Sequence, residues 1–272
     1  MSNGDGLRRV LITGAAGSIG RVVRAGLRDH YALRLLDRAA QEPAGDGEEV
    51  ITADIGDLDA LVDACEGVDG VVHLAGIPAE DRFSAIAEAN ITGTAHVLEA
   101  ARRQGVGRAV LASSNHVTGF HPISAQRIGP DAEPRPDTFY GVSKLALEGL
   151  GCLYAEKFGL EVACLRIGSF GERAHGVRSL STWLSHRDAV QLVVRCLEAP
   201  DLGFTILYGI SGNSRAWWDL SAAHALGYEP QDDAEAYAQE VLADAGADVD
   251  PGVYQGGSFT DVQTTLEHVE YD

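Results

Sequence analysis

Three polar side chains are spaced so that together they could move a proton at a reacting oxygen. Tyr140 and Lys144 stand four residues apart in a predicted helix, so both side chains lie on one helix face. A phenol has an ordinary pKa of about 10, and a nearby ammonium group lowers that pKa. Ser114 ends a predicted strand 26 residues before Tyr140 and could hydrogen-bond the same oxygen. The pattern predicts general acid–base catalysis next to a hydride acceptor.

A glycine-rich loop near the start of the chain predicts where that hydride acceptor binds. Gly14, Gly17 and Gly20 form a G-x-x-G-x-x-G pattern between a predicted strand and a predicted helix. Glycines permit a tight turn and bring the backbone close to a pyrophosphate, which binds the free N–H groups of the helix start. Asp37 ends the next strand, where a carboxylate can accept both hydroxyls of an adenosine ribose and repel a 2′-phosphate. We therefore expect NAD rather than NADP, although Arg38 could stack on adenine or bind that phosphate.

Two further strand ends carry residues suited to a dinucleotide. Asp54 and Ile55 follow the third strand, in a position to hold the adenine ring, and Asp54 could instead cap the next helix. Ala75 and Gly76 lie just after the fourth strand, and their small size lets ribose and pyrophosphate lie close to the backbone. His73, at the end of that strand, is interpreted as a satisfied core histidine.

The elements that must position these residues alternate between strands and helices. Strands are predicted at residues 9–13, 32–36, 49–52, 70–74, 108–112, 162–167 and 204–208, and helices at residues 18–29, 58–65, 91–103 and 140–158. This rhythm predicts an α/β protein with a Rossmann-type, doubly wound parallel sheet. We expect residues 1–169 to form the NAD-binding core. Residues 170–272 are expected to add the last strand and a small substrate-capping region on the same domain, with a loop at residues 243–252.

Composition excludes several classes of partner. The net charge is −19, and residues 216–272 contain 13 acids without a single Lys or Arg, which we interpret as a solvated acidic face. A nucleic-acid partner is therefore not expected, and no apolar run is long enough to cross a membrane. The four cysteines lack metal-ligand spacing and are typical of free thiols in a cytoplasmic protein, so no metal is expected.

Taken together, the motifs resemble the extended branch of the short-chain dehydrogenase/reductase superfamily over residues 10–170. Further segments resemble the bacterial uronate dehydrogenases over nearly the whole chain. These segments are residues 112–116, 166–169, 178–186, 216–219 and 255–259. The resemblance implies NAD-dependent oxidation of D-glucuronate and D-galacturonate to aldarolactones.

The same resemblance implies a role for each matching residue. It makes Tyr140 the base, Lys144 its partner and ribose ligand, and Ser114 the holder of the reacting oxygen. The implied cofactor-binding residues are Gly14, Gly17, Ser18, Ile19, Gly20, Asp37, Arg38, Asp54, Ile55, Leu74, Ala75, Gly76, Ile77, Asn90, Ser113, Lys144, Ile167 and Phe170. The implied substrate-binding residues are Pro78, Ser114, Asn115, His116, Tyr140, Ser169, Arg178 and Phe259.

Arg178 is the residue expected to bind the sugar's C6 carboxylate, because a guanidinium matches that planar anion. Several alternatives stay open. Arg178 could form a surface or inter-subunit ion pair, Asn115 could be a turn residue, and His116 could serve only packing. Trp217 and Trp218 are interpreted as core or subunit contacts.

The resemblance departs at Pro78, where uronate dehydrogenases have a serine. Proline supplies no hydroxyl and no N–H, so we expect one substrate hydrogen bond to be missing.

Other functions fit parts of the pattern. A haloarchaeal type of glucose 6-phosphate dehydrogenase has a similar arrangement of segments, and Arg178 could equally bind a phosphate. A nucleotide-sugar epimerase or dehydratase would need more chain for its nucleotide pocket. A non-catalytic NAD-sensing protein would usually lack the tyrosine or the lysine. We also expect a homo-oligomer that associates through the Tyr140 helix and its neighbour. The apolar residues that could form this contact, or could instead simply pack on the sheet, are Leu145, Leu147, Leu150, Leu153 and Tyr154.

Overall fold

Seven parallel strands form the central sheet of the computed structural model, which describes residues 8–124, 126–246 and 252–269. The strands are β1 (Arg9–Thr13), β2 (Ala32–Asp37), β3 (Glu48–Thr52), β4 (Gly70–His73), β5 (Arg108–Ser114), β6 (Glu161–Ile167) and β9 (Phe204–Gly209). Their spatial order is β3-β2-β1-β4-β5-β6-β9. A two-stranded sheet of β7 (Ser169–Phe170) and β8 (Trp183–Leu184) lies beside them.

Helices connect the strands and cover both faces of the sheet. They are α1 (Ser18–Leu27), α2 (Leu58–Ala64), α3 (Phe83–Ile86), α4 (Gly93–Arg103), α5 (Phe139–Phe158), α6 (Ser179–Thr182), α7 (His186–Glu198), α8 (Ser221–Ala225), α9 (Ala238–Ala245) and α10 (Val262–Leu266). A π-helical segment, Ala87–Thr92, joins α3 to α4, and 3-10 turns occupy Asn115–Thr118, Ala234–Tyr237 and Gly257–Thr260.

Apolar residues of both sheet faces are buried beneath these helices. Val23 of α1 and Leu192 of α7 pack against one face, while α2, α4 and α5 cover the other with residues such as Leu61, Val97 and Leu147. Burial of such side chains is the main force that holds helices to a parallel sheet. The predicted Rossmann-type, doubly wound α/β fold is therefore confirmed.

The structure corrects two details of the predicted elements. Helix α7 lies in a region that we did not predict as helical, and it closes the same sheet face as α1. Its Ser185 side chain accepts the Asp188 backbone N–H at 3.1 Å, an ordinary N-cap. The predicted loop at residues 243–252 is wrong at its start, because helix α9 continues to Ala245. Val241 of this helix packs in the apolar cluster that contains Trp183. Residues 247–251 of that loop lie outside the described residues.

Acidic residues near the end of the chain fasten this region to the rest of the molecule. Asp232 pairs with Arg187, Glu235 with Arg215, and Glu240 with Arg173. Asp233 accepts the backbone N–H of Ser214. These four carboxylates therefore have partners within the protein, so the acidic residues of this part of the chain do not all interact with solvent alone.

The apolar residues of α5 that we expected at a subunit contact differ in their exposure. Leu147 packs into the core, so it cannot contribute to a subunit contact as we expected, whereas Leu153 is 45% exposed. The homo-oligomer stays a prediction.

The described residues also bear on membranes and metals. No helix among them has the length and apolar character that a bilayer crossing requires. They contain no group of three or more His, Cys, Asp or Glu side chains arranged to hold a metal ion. All four cysteines are free thiols.

Candidate active site

The carboxyl ends of β1 and β4 form the topological switch point, where the chain crosses from one half of the sheet to the other. Two cavities open at this edge. One, of about 460 Å³, lies beside Asp37 and Asp54; the other, of about 410 Å³, lies beside Tyr140 and Arg178. Both are lined by Leu74, Gly76 and Ile77, so they adjoin each other, and we call the two together the groove. The sequence predicted both ends of this groove.

The glycine loop fits a pyrophosphate because its turn leaves no room for side chains. Gly14 has φ +74°, and a Cβ there would lie 2.6 Å from the Ala75 backbone nitrogen. A Cβ on Gly20 would lie 2.2 Å from the Gly14 carbonyl oxygen. The loop leads directly into α1, with Gly17 at the N-cap, and Ser18 and Ile19 line the cavity beside Tyr140. These residues suit a phosphate-binding helix start.

Asp37 lines the end of the groove where the sequence predicts the cofactor's adenosine, which we call the adenosine end. Its carboxylate accepts backbone N–H groups from Ala16 at 2.9 Å and from Ala39 at 2.8 Å. Arg38 is exposed and reaches Asp54 at 3.8 Å. Asp54 accepts the Gly56 N–H, whereas Asp57 caps α2, so the alternative of Asp54 as that helix cap is wrong.

The charges at this end favour a cofactor without a 2′-phosphate. The cavity beside Asp37 is lined by the acids Asp37, Asp54, Asp81 and Glu88, and by a single basic residue, Arg38. Ile55, Ala75 and Leu74 supply apolar lining.

Replacement of Asp37 by Ala is expected to weaken NAD binding by about 10- to 100-fold. Hydrogen bonds to charged groups contribute about 1.5–3 kcal/mol. The Asp37 carboxylate holds the glycine loop at Ala16 and is expected to accept the ribose hydroxyls as well. Calorimetric titration with NAD and NADP measures the change. We expect NADP to lose less affinity than NAD, since the repulsion of its phosphate is relieved; an equal loss for both would contradict the ribose role.

Asn90 holds the backbone of Ile77, one of the residues that line the groove. Its side chain is buried, and its Oδ1 accepts the Ile77 N–H at 2.8 Å. Its Nδ2 donates to the Ile77 carbonyl and to the Ser143 hydroxyl. Asn90 therefore reaches the groove through the Gly76-Ile77 backbone, and the structure does not place it on the groove wall that we expected it to line.

Tyr140, Ser114 and Lys144 come together at the other end of the groove, as the sequence predicted. Ser114 ends β5, Tyr140 opens α5, and Lys144 follows one turn later; all three are at most 8% exposed. Ser114 lines the same cavity as Tyr140, and its hydroxyl accepts the His116 backbone N–H at 3.2 Å. The Lys144 ammonium lies 5.6 Å from the centre of the Tyr140 ring.

The acidity of Tyr140 differs from the expectation. Burial raises the pKa of Tyr140 above its usual range, the Ser114 side chain opposes this, and the Asp137 charge adds to it. Burial also lowers the pKa of Lys144 to about 8. The pKa of Tyr140 is therefore raised and not lowered as the sequence predicted, because desolvation is the largest influence on it.

Arg178 extends into the same cavity, and the alternative of a surface ion pair is wrong. Its guanidinium donates to the Gln255 carbonyl at 2.8 Å, to Asn115 Oδ1 at 2.7 Å and to Ser169 Oγ at 3.3 Å. No carboxylate of the described residues lies within salt-bridge distance of it. Burial lowers the pKa of Arg178 to about 10, with Asp137 opposing. A partly desolvated cation without an anion is suited to bind one.

The remaining predicted substrate and nicotinamide residues line this cavity. They are Pro78, Ser113, Asn115, His116, Ile167, Ser169, Phe170 and Phe259. The Ser113 hydroxyl turns away and donates to Glu148. Asn115 begins the 3-10 turn after β5, as the turn alternative held, and its buried side chain also bonds the Ile167 carbonyl and Arg178.

Trp217 and Trp218 do not reach the cavity. Both side chains are buried in one cluster with Tyr208, so the core interpretation is confirmed. His73 bonds Thr13 and Thr94, and burial lowers its pKa to about 3, which confirms it as a satisfied core histidine.

Two carboxylates beside α5 were not predicted. Glu80 accepts the N–H groups of Phe139 and Tyr140 and also the Thr265 hydroxyl, so it joins the loop after β4 to the catalytic helix and to α10. Asp137 bonds His116. The only sequence signal for Asp137 was its position next to Thr138, the N-cap of α5.

Comparisons with known proteins agree with this geometry. A family model described as the NAD dependent epimerase/dehydratase family matches residues 10–187. A uronate dehydrogenase of Pseudomonas syringae pv. tomato is 44% identical over 255 residues, covering 92% of each chain. An NAD-dependent glucose-6-phosphate dehydrogenase of Haloferax volcanii is 36% identical, over 85% of this chain and 96% of its own. A crystal structure of a mutant uronate dehydrogenase from Agrobacterium tumefaciens with NAD superposes with a TM-score of 0.89 at 42% identity, over 94% of this chain and 98% of that one.

The chain therefore belongs to the NAD-dependent epimerase/dehydratase family. It is an enzyme, an NAD-dependent dehydrogenase. The resemblance to the uronate dehydrogenases that five of its segments indicated is confirmed over most of the chain.

Proposed function

We propose that this enzyme oxidises a hexuronate, D-glucuronate or D-galacturonate, at C1 and forms the aldarolactone. The observation that carries this proposal is the Arg178 guanidinium in the substrate end of the groove, which has no carboxylate partner among the described residues. A planar carboxylate matches a guanidinium in shape and in charge.

The charge of the cavity favours a carboxylate over a phosphate. Its cationic lining residues are Arg178 and Lys144, and Lys144 is assigned to the reacting centre and the cofactor ribose. A single guanidinium balances a monoanion, whereas a phosphate monoester carries nearly two charges near neutral pH. Glucose 6-phosphate is therefore the second candidate substrate, suggested by the Haloferax volcanii relative.

Ser114, Tyr140 and Lys144 would each have a separate role in the oxidation. Ser114 holds the C1 hydroxyl, and the Tyr140 oxygen takes its proton. NAD⁺, when bound, supplies a cationic hydride acceptor. The C1–H bond breaks with its electron pair, and C1 becomes a carbonyl that stays bonded to the ring oxygen, which makes the product a lactone. Lys144 supplies the positive charge that stabilises a phenolate at Tyr140.

Residues 1–169 would hold NAD, and residues 170–272 would shape the substrate end with Arg178 and Phe259. Asn115 and Ser169 would fix the Arg178 head, since both already bond it. Pro78 lines the cavity without a hydroxyl, so the enzyme would bind its sugar there by shape alone.

Replacement of Arg178 by Gln tests the proposal. We expect kcat/KM for D-glucuronate to fall at least about 30-fold, because removal of one partner of a buried charge pair costs about 2 kcal/mol or more. Arg178→Lys is the matched control; it keeps the charge but lacks the planar fork, and we expect an intermediate loss. Steady-state NADH formation gives both values.

NAD affinity provides the internal reference for these variants. It should be unchanged in both, since Arg178 lies away from the adenosine end of the groove. An Arg178→Gln enzyme that keeps its wild-type kcat/KM for D-glucuronate would remove the basis of the carboxylate assignment.

A further inference from the structure

His116 is held from three sides within the substrate cavity. Its Nδ1 lies 2.8 Å from Asp137 Oδ2. Phe259 stacks on its ring, with the ring centres 4.1 Å apart and the planes inclined by 25°. Tyr140 lies edge-on, at 6.0 Å between ring centres. The imidazole therefore has a fixed position and a fixed orientation.

The backbone around Asp137 is shaped to admit its carboxylate. The Asp137 side chain is fully buried. A Cβ on Gly119 would lie 1.8 Å from Asp137 Oδ2, and a Cβ on Gly256 would lie 2.0 Å from the same oxygen. Two glycines from separate segments thus leave space for one carboxylate oxygen, the oxygen that bonds His116.

This contact decides which ring nitrogen is left for a ligand. A carboxylate only accepts hydrogen bonds, so Nδ1 must carry the proton that it donates to Asp137. In the neutral ring Nε2 then bears a lone pair. Among the residues that the structure describes, none hydrogen-bonds Nε2, and His116 lines the cavity.

We infer that Asp137 is a positioning residue that acts through His116, holding Nε2 as an acceptor for a substrate hydroxyl. A lone pair attracts the hydrogen of a hydroxyl group and repels a carboxylate. The sugar's carboxylate therefore belongs at Arg178, and a ring hydroxyl belongs at His116. The inference rests on the proposed function, because it requires a sugar in this cavity.

A competing explanation is that Asp137 only stabilises the start of α5. Its Oδ1 accepts the Thr138 hydroxyl, and Thr138 in turn caps the helix at Gly141. The two explanations differ in whether the effect of Asp137 depends on His116. That difference is measurable in a double-mutant cycle.

The experiment compares Asp137→Asn, His116→Gln and the double variant with the wild type. Asparagine keeps the shape of Asp137 and removes its charge, and glutamine removes the contact with Asp137 while keeping a polar head near the cavity. We expect Asp137→Asn to raise KM for the sugar about 10- to 100-fold, with a smaller change in kcat and no change in NAD affinity. In the His116→Gln background, Asp137→Asn should have a much smaller effect on KM, because only its charge on Tyr140 and Arg178 then remains.

Three outcomes would overturn the inference. One is an equal Asp137→Asn effect in both backgrounds, and another is a loss of NAD affinity with a lower melting temperature, since either would mark a structural role. The third is an unchanged KM. If Asp137→Asn does not fold, His116→Asn replaces it, because the shorter amide has no polar atom at the position of Nε2. We expect His116→Asn to raise KM for the sugar, and a wild-type KM would overturn the inference.

The choice of sugar separates this inference from the proposed function. The cycle uses whichever of D-glucuronate, D-galacturonate and glucose 6-phosphate the wild type oxidises. Turnover of the phosphate alone would refute the uronate proposal while the cycle still tests Asp137. Turnover of none of the three would overturn both.

Discussion

Replacement of Tyr140 by Phe is expected to lower kcat by about 10²- to 10⁴-fold, the usual contribution of a positioned acid–base group. The Tyr140 side chain is buried and shares its cavity with Ser114, and its ring centre lies 5.6 Å from the Lys144 ammonium. Phenylalanine keeps the ring and removes only the oxygen. Single-turnover measurement of NADH formation reports the chemical step directly.

NAD affinity and melting temperature serve as controls for the Tyr140 variant. Both should stay near the wild-type values, since the hydroxyl makes no contact with the glycine loop. Ser114→Ala is the matched comparison, and we expect it to lose less activity, because Tyr140 would remain. A Tyr140→Phe enzyme with near wild-type kcat would show that another group takes the proton.

Replacement of Arg166 by Met is expected to lower the free energy of unfolding by about 3–5 kcal/mol, as in other buried ion pairs that lose one partner. Arg166 is 1% exposed and donates to both Glu148 oxygens, at 2.8 and 2.9 Å. Glu148 also accepts the Ser113 hydroxyl. The variant would leave the Glu148 charge buried beside a single hydroxyl. Urea denaturation measures the change.

The double variant Arg166→Met, Glu148→Leu separates charge burial from packing. If an uncompensated charge causes the loss, removal of both partners should recover most of the stability. A double variant as unstable as Arg166→Met alone would attribute the loss to packing against Tyr208, over whose ring the guanidinium lies at 5.7 Å.

The sequence contained most of what determines the sheet and the cofactor end of the groove. Strands such as β1 and β6 are short apolar runs bounded by glycine or polar residues, and the alternation with helices fixes a parallel sheet. Parallel strands place their carboxyl ends on one edge, so Asp37 and Ser114 could be assigned to a common groove before the structure was known. The apolar runs and the residues at the strand ends are local sequence patterns, and tertiary contacts stabilise the structures that these patterns predict.

The later part of the chain was harder to predict because its elements are short and depend on distant contacts. Helix α7 has a readable start in Ser185 and Asp188, and its buried residues repeat at helical spacing, so this helix could have been found. Helix α9 gains its stability from packing on Trp183, which lies far away in the sequence.

The supporting residues of the site could not be predicted for a similar reason. Glu80 and Asp137 act on backbone N–H groups and on a histidine ring that only the folded chain brings near them. The same holds for the pKa of Tyr140: the sequence shows Lys144 four residues away, but not the burial that raises this pKa. Spacing along a helix predicts neighbours, whereas desolvation depends on the whole environment.

The most direct test of the central claim is the specificity of the wild-type enzyme with NAD. Initial rates of NADH formation should be compared for D-glucuronate, D-galacturonate, glucose 6-phosphate and D-glucose. We predict that kcat/KM is highest for a uronate, by about 30-fold or more over neutral D-glucose, because only the uronate supplies an anion of matching shape to Arg178. Equal or higher kcat/KM for glucose 6-phosphate or D-glucose would contradict the carboxylate assignment.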